Sequence, residues 1–213
     1  MGRTACLGLA VALLGYLAGA WLTLDFRVWT QEGARRLAIV QAPVAAPEMT
    51  VHGPGLEAAS LPALLRSGGG ITIVDFVYTR CPTVCLALGS TFQQLQSALV
   101  AQEAEKGFAA PIHLLSISFD PEHDSPEVLS AYAGRFHADP DLWRFAVPVR
   151  KDELRPLLDR FGVVVIPDGM GGYEHNAALL VVDGSGRLVR IFDYTEMAAA
   201  LVFARHLAGG GES

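Results

Sequence analysis

The spacing of hydrophobic residues after position 70 predicts an alternation of strands and helices. Residues 71–78 (ITIVDFVY) and 111–119 (PIHLLSISF) are almost continuous apolar runs, which are typical of strands buried on both faces. Between them, residues 84–104 carry apolar side chains at helical spacing: Leu88, Phe92, Leu95 and Leu99. The pattern therefore predicts two buried strands connected by an amphipathic helix.

The remainder of the chain continues the alternation. A helix is predicted to begin at Ser125-Pro126, and another over 151–162 is predicted to end at Gly162. Residues 143–149 predict a short strand, 177–182 and 188–192 a hairpin around Asp-Gly-Ser-Gly, and 195–207 a final helix. The order β-α-β-α-(β)-α-β-β-α predicts an α/β fold, with a central sheet flanked by helices on both faces.

The N-terminus is different, because residues 5–24 contain no charged side chain. A helix of about 20 such residues reaches across a hydrocarbon core of about 30 Å, so we predict a transmembrane signal anchor over 1–24. A cleaved signal peptide is an alternative, since Ala18-Gly19-Ala20 resembles a processing site; a buried core helix is a weaker one. Residues 25–48 are expected to form a tether, and residues 49–213 the globular domain.

Charge and cysteine content exclude two classes of protein. The formal net charge of the 213 residues is -6 with no basic cluster, so nucleic acid is not an expected partner. Three cysteines are too few for a disulfide-stabilised secreted scaffold. Cys6 lies in the apolar N-terminal run, which leaves Cys81 and Cys85 as the pair to be explained.

The segment VDFVYTRCPTVC carries the chemistry. Cys81 and Cys85 are separated by about one helical turn, where a buried strand passes into a helix, so the two sulfurs can face the same side. Amide groups at the start of a helix lower the pKa of a thiol, and Arg80 adds a positive charge. The pair can close as a disulfide or bind a soft metal, copper(I) or zinc. Its position after the first strong strand favours a thioredoxin-like fold.

Two sulfurs leave such an ion short of ligands, so a third donor is expected. His175 is the best of the six histidines, because it ends a glycine-rich segment directly before a predicted strand. In a thioredoxin-like fold that loop faces the cysteine turn. The other histidines are expected to be solvated or structural: His52, His113, His123, His137 and His206.

Three segments, in order, resemble the Sco/SenC family of copper chaperones for cytochrome c oxidase assembly. They are YTRCPTVC, SISFDPEHDSPEVLSAYAGRF and EHNAALLVVDGSGRLVRIF. The resemblance covers about residues 71–192. The chain differs from the family pattern at Glu174, where the family has Asp, at Asn176, where it has Ser or Thr, and at Leu86, where it often has Pro.

The resemblance implies a thioredoxin-like domain that binds one copper ion, Cu(I) or Cu(II), through Cys81, Cys85 and His175. It implies a position for Asp120 near the metal, although a turn or cap role is equally open. The implied partner is the copper A subunit of cytochrome c oxidase or another copper-receiving protein. The implied location is the inner membrane, with a monomeric domain on the periplasmic or extracytoplasmic side.

The function predicted from these features is that of a metallochaperone rather than an enzyme. The alternative is a thiol–disulfide oxidoreductase in which Cys81 and Cys85 reduce exported partners, a reaction that does not need His175. A peroxidase of the peroxiredoxin kind is less favoured, because its cysteine requires another sequence setting. A purely structural disulfide is also disfavoured, because closing so short a loop contributes little stability.

Overall fold

The computed structural model describes residues 2–23, 26, 28–81, 84–107, 111–169 and 171–209, and their side chains except those of residues 2–5, 84–86 and 106. The helices are α1 (Gly2–Leu22), α2 (Gln31–Gln41), α3 (Leu61–Arg66), α4 (Val84–Lys106), α5 (Pro126–Arg135), α6 (Leu154–Phe161) and α7 (Met197–Ala208). The strands are β1 (Val44–Ala45), β2 (Thr50–Gly53), β3 (Leu56–Ser60), β4 (Ile71–Val77), β5 (Ile112–Ser118), β6 (Trp143–Pro148), β7 (Val165–Pro167), β8 (Tyr173–His175), β9 (Ala178–Val182) and β10 (Arg187–Asp193).

One eight-stranded sheet organises the domain, in the order β1-β10-β9-β4-β5-β6-β2-β3. Strands β4, β5 and β6 run parallel, and β9 lies antiparallel to β4. Strands β7 and β8 form a separate two-stranded ribbon. The predicted strands, the final hairpin and the four helices after residue 80 are all confirmed, and Gly162 ends α6 in the left-handed conformation with φ 65°.

The two faces of the sheet carry two separate hydrophobic clusters. Helices α2, α3 and α6 pack on the first face, which we call cluster A. Helices α4, α5 and α7 pack on the second face, which we call cluster B. Helices therefore cover both faces, as the sequence predicted. Burial on both sides explains why β4 and β9 are apolar along almost their whole length.

The N-terminal part of the fold prediction is not supported. Residues Gly2–Leu22 form a single helix, but no helix among the described residues is long and apolar enough to cross a membrane.

The segment predicted as a tether, residues 25–48, contains α2 and β1. Thr30 caps α2 by accepting a hydrogen bond from the Gly33 amide at 3.0 Å. Arg35 then donates to the main-chain oxygens of Phe161 and Gly162, at 3.1 and 2.6 Å, and so fixes α2 to the domain. These contacts join residues more than 120 positions apart, so local periodicity could not reveal them.

Two further strand pairs occur in segments that the sequence pattern left irregular. Strand β2 is ordered by pairing with the distant β6, through Val51 and Pro148, and its hairpin to β3 turns at Gly55, which has φ 65°. The β7–β8 ribbon occupies the glycine-rich segment before residue 176. The pairing of β2 with β6 joins distant residues and overrides a weak local β pattern, whereas β7 and β8 form a local hairpin.

Candidate metal centre

The cysteine turn begins where β4 leaves the sheet. The Cys81 amide donates to the Tyr78 carbonyl at 3.3 Å, and this closes a tight turn directly after the strand. Cys81 is only 8% exposed and belongs to cluster A. Helix α4 begins at Val84, so position 85 falls in its first turn, as predicted. The Cys85 side chain itself lies outside the described residues.

The β7–β8 ribbon carries His175 and is attached to the same turn by Tyr78. The Tyr78 hydroxyl donates to the Tyr173 carbonyl and accepts from the Tyr173 amide, both at 3.1 Å. Tyr173 and His175 are two positions apart on β8, so this attachment also determines where His175 lies. A short ribbon that is not part of the main sheet thus acquires a defined position.

Phe119 lies between the ribbon that carries His175 and the end of β4. Its ring lies 5.2 Å from the Tyr78 ring, 5.7 Å from the Tyr173 ring and 5.1 Å from the His175 imidazole, measured between centroids. Tyr78, Phe119 and Cys81 all belong to cluster A. The structure therefore places His175 beside an aromatic cluster that includes Tyr78, three residues before Cys81.

The environment of His175 favours the form that binds metals. Burial lowers the pKa of His175 to about 4, so its imidazole is neutral near pH 7. A neutral imidazole has a lone pair available for a metal ion, whereas a protonated one does not.

The buried side chain of Asp124 is hydrogen-bonded to the residue that precedes Arg80 and Cys81. It accepts hydrogen bonds from the Thr79 amide at 3.1 Å, the Thr79 hydroxyl at 2.6 Å and the Ser118 hydroxyl at 2.6 Å. Asp124 is completely buried, and charged hydrogen bonds in such a setting are strong. Thr79, two positions before Cys81, is therefore connected through Asp124 to Ser118 at the end of β5.

Asp120 contacts the cysteine turn through Arg80. Its carboxylate, 2% exposed, pairs with Arg80 at 2.9 Å and with Nδ1 of His123 at 2.9 Å. Its main-chain oxygen also accepts from the amides of His123 and Asp124. Asp120 is thus both a turn residue and the partner of the residue that precedes Cys81. The pairing raises the pKa of Arg80 and balances the positive charge expected to act on the thiols.

The donors present fit a soft metal ion. Thiolate sulfur and neutral imidazole nitrogen suit Cu(I) better than an all-oxygen site would. No group of three or more metal-binding side chains occurs among those described, and the side chain of Cys85, one of the three predicted ligands, lies outside them. His113 lies elsewhere, beside a cavity of about 90 Å³ that Arg144 also lines.

Comparison with known proteins agrees with the fold and the motifs. A family model described as SCO1/SenC matches residues 66–206, more than half of the chain. The chain is a member of the SCO1/SenC family. A SCO1 protein homolog of Bacillus subtilis (strain 168) is 25% identical over 130 residues, which make up 60% of this chain and 64% of that relative. The match thus spans less than two-thirds of the relative's length.

Solved structures share the thioredoxin-like Sco fold. One is BsSco, a member of the Sco family of cytochrome c oxidase assembly proteins in which a disulfide switch was identified. It superposes with a TM-score of 0.65 at 20% identity, covering 79% of this chain and 95% of BsSco. Another is copper-bound ScoI of Bradyrhizobium japonicum, with a TM-score of 0.58 at 23% identity, covering 75% of this chain and 99% of ScoI.

Several residues around the candidate site were not predicted to support it. Tyr78 and Phe119 organise the aromatic cluster, yet in the sequence they resemble ordinary core residues at strand ends. Asp124 lies within the segment SISFDPEHDSPE that resembles the family, but Glu122, His123 and Ser125 around it are exposed, so the local pattern did not indicate its burial. His123, expected to be solvated, is about half exposed but contacts Asp120.

Proposed function

We propose that this chain is a Sco-type copper metallochaperone that binds one copper ion through Cys81, Cys85 and His175. The observation that carries the proposal is the contact of a neutral, largely buried His175 with Phe119, whose ring also contacts Tyr78, three residues before Cys81. Copper-bound relatives of the same fold support it. In this proposal the copper ion is cargo, and the recipient is the copper A subunit of cytochrome c oxidase or another copper-receiving protein.

Each described residue has a defined part in this proposal. The Cys81 sulfur and the His175 nitrogen supply two ligands, and Cys85, in the first turn of α4, supplies the third. Asp124 and Asp120 hold the cysteine turn through Thr79 and Arg80. Tyr78 holds the ribbon that presents His175. Because one ligand comes from a separate ribbon, the site can open on that side while both sulfurs keep the metal.

A second candidate, thiol–disulfide exchange by Cys81 and Cys85, is favoured by the spacing of the pair at the start of α4. The disulfide switch identified in BsSco supports the same chemistry. The two functions are compatible, because a recipient must have reduced cysteines before it can accept copper. A monomeric domain outside the cytoplasm remains a prediction from the sequence.

The test is a Cu(I) titration of the reduced full chain against a competing chelator. Cys81→Ser, Cys85→Ser and His175→Ala are compared with His113→Ala, which removes a half-buried histidine at the cavity. We expect wild type and His113→Ala to bind one copper with equal affinity, and each ligand variant to bind at least about tenfold more weakly. Equal affinity in His175→Ala would contradict the proposed ligand set. Rapid reduction of disulfides without copper binding would favour the oxidoreductase.

A further inference from the structure

A cavity of about 90 Å³ lies at the end of the sheet opposite to the cysteine turn. Three of the polar residues that line it, Thr72, His113 and Arg144, are each the second residue of a parallel strand: β4, β5 and β6. The cysteine turn follows the last residue of β4, Val77, which is five positions beyond Thr72. At about 3.3 Å per residue the two places are about 17 Å apart, so the cavity is separate from the candidate metal centre.

The three polar side chains face cluster A, on the α3 side of the sheet. The residues two positions further along β4, β5 and β6 are Val74, Leu115 and Ala146, and all three belong to cluster A. Because side chains alternate along a strand, the second residue of each strand faces the same side. The remaining wall is mostly apolar and includes five leucines, two of them from α3: Leu64, Leu65, Leu114, Leu115 and Leu142.

None of the three polar side chains is engaged elsewhere in the described part of the chain. Thr72 is only 7% exposed, yet its hydroxyl forms no hydrogen bond with another described residue. The imidazole of His113 is half-buried and Arg144 is exposed, and neither side chain has a hydrogen bond or ion pair with a described residue. The hydroxyl of Ser67, in contrast, donates to the Leu64 carbonyl at 2.8 Å. Thr72, His113 and Arg144 therefore have donors available for a ligand.

The main chain at Gly68 passes directly against the imidazole of His113. A Cβ at this position would lie 2.5 Å from Nε2 and 2.9 Å from Cδ2 of the ring, so a glycine is needed for this close approach. The contact limits the movement of the ring and keeps it at the cavity. Burial and the neighbouring Arg144 lower the pKa of His113, so its imidazole is neutral near pH 7 and donates one N–H.

The chemistry of the lining selects for an anion with an apolar part. The guanidinium is positively charged, the imidazole and the hydroxyl each donate a hydrogen bond, and no acidic residue is among the described residues that line the cavity. A carboxylate accepts several such bonds through its two oxygens, and the leucines suit an alkyl chain. A water-sized group occupies about 10–15 Å³ of such space, so there is room for about six non-hydrogen atoms, the size of butyrate.

We propose that this cavity is a binding site for a short-chain monocarboxylate of about the size of butyrate. The carboxylate pairs with Arg144 and accepts hydrogen bonds from His113 and Thr72, while the alkyl chain lies against the leucines. Because the cavity is at the other end of the sheet, this inference does not rest on the proposed copper function.

The test titrates butyrate into the reduced, copper-free full chain at pH 7 and follows binding by ligand-observed NMR. Acetate, which has the same charge and a shorter chain, and butanamide, which has the same shape and no charge, are titrated in parallel. Arg144→Gln and Thr72→Val each remove one donor group, and Arg135→Gln removes an exposed arginine of α5 as the matched control. Thermal unfolding and Cu(I) titration of each variant show that the fold and the copper site are intact.

Each methylene that leaves water for the leucine wall strengthens binding about fourfold, so butyrate should bind roughly tenfold more tightly than acetate. Butanamide should bind at least about tenfold more weakly than butyrate, because it cannot pair with the guanidinium. Arg144→Gln should weaken butyrate binding at least about tenfold and Thr72→Val about threefold or more, whereas Arg135→Gln should bind like wild type.

Two kinds of result would overturn the proposal and leave the proposed copper function intact. One is the lack of saturable butyrate binding by wild type. The other is an affinity for butyrate that is the same in Arg144→Gln and Arg135→Gln, or the same in Thr72→Val and wild type.

Discussion

Replacing Asp75 by Asn should make the protein more stable, and increasingly so as the pH rises. The unfolded carboxyl has its ordinary pKa of 3.8, whereas burial raises the folded value to about 7. Between these values the folded state binds more protons than the unfolded state, so the free energy of unfolding falls as the pH rises. A difference of about 3 pKa units corresponds to about 4 kcal/mol as an upper value. Asn has the same shape and no charge, so it avoids this cost.

The assay is urea denaturation of wild type and Asp75→Asn from pH 4 to pH 8, without copper and with reductant present. The difference between the two proteins cancels the titration of all other groups. It should be small near pH 4, rise by at most about 1.4 kcal/mol per pH unit and level off above pH 7. Thr72→Val, which adds or removes no charge, should differ from wild type by a constant amount. A pH-independent difference for Asp75→Asn would refute the reasoning.

Three further predictions concern the site and its support. Because burial lowers the pKa of His175 to about 4, the ratio of copper affinities of wild type and His175→Ala should stay constant from pH 7.5 to 5; a fall centred near pH 6.5 would contradict this. In Gly89→Ala the new Cβ would lie 2.3 Å from the Phe136 ring, so the free energy of unfolding should fall by about 1–3 kcal/mol. Urea denaturation measures this, and an unchanged free energy of unfolding would refute that packing. Tyr78→Phe removes both hydrogen bonds to Tyr173, so it should lower the free energy of unfolding by about 1–2 kcal/mol. It should also weaken copper binding in the chelator titration. Unchanged copper affinity in that variant would mean that the ribbon needs no such attachment.

The sequence predicted the central part of the fold because that part follows local rules. Strands β4 and β5 are buried on both faces, and each is an almost continuous apolar run in the sequence. Helix α4 shows its buried stripe directly in the spacing of its leucines, and the last hairpin turns at Asp183-Gly184-Ser185-Gly186. In these elements local propensity and tertiary packing favour the same structure.

The parts that escaped prediction depend on contacts between distant residues. Strands β7 and β8 have three residues each, and the ribbon takes its position from the Tyr78 hydroxyl 95 residues away. Helix α2 is attached through Arg35 to main-chain oxygens that follow α6. The motif supplied His175 as a candidate ligand, but not the aromatic contacts that surround it. Asp75 was visible in the sequence as one charge within an apolar run, yet its burial became evident only in the sheet.

X-ray absorption spectroscopy of the Cu(I)-loaded full chain is the most direct test of the proposed copper site. It counts the sulfur and nitrogen atoms bound to copper, and His175→Ala and His113→Ala provide the comparison. The proposal predicts two sulfurs and one nitrogen in wild type and His113→Ala, with the nitrogen lost in His175→Ala. A copper environment without two sulfurs, or one unchanged by His175→Ala, would contradict it.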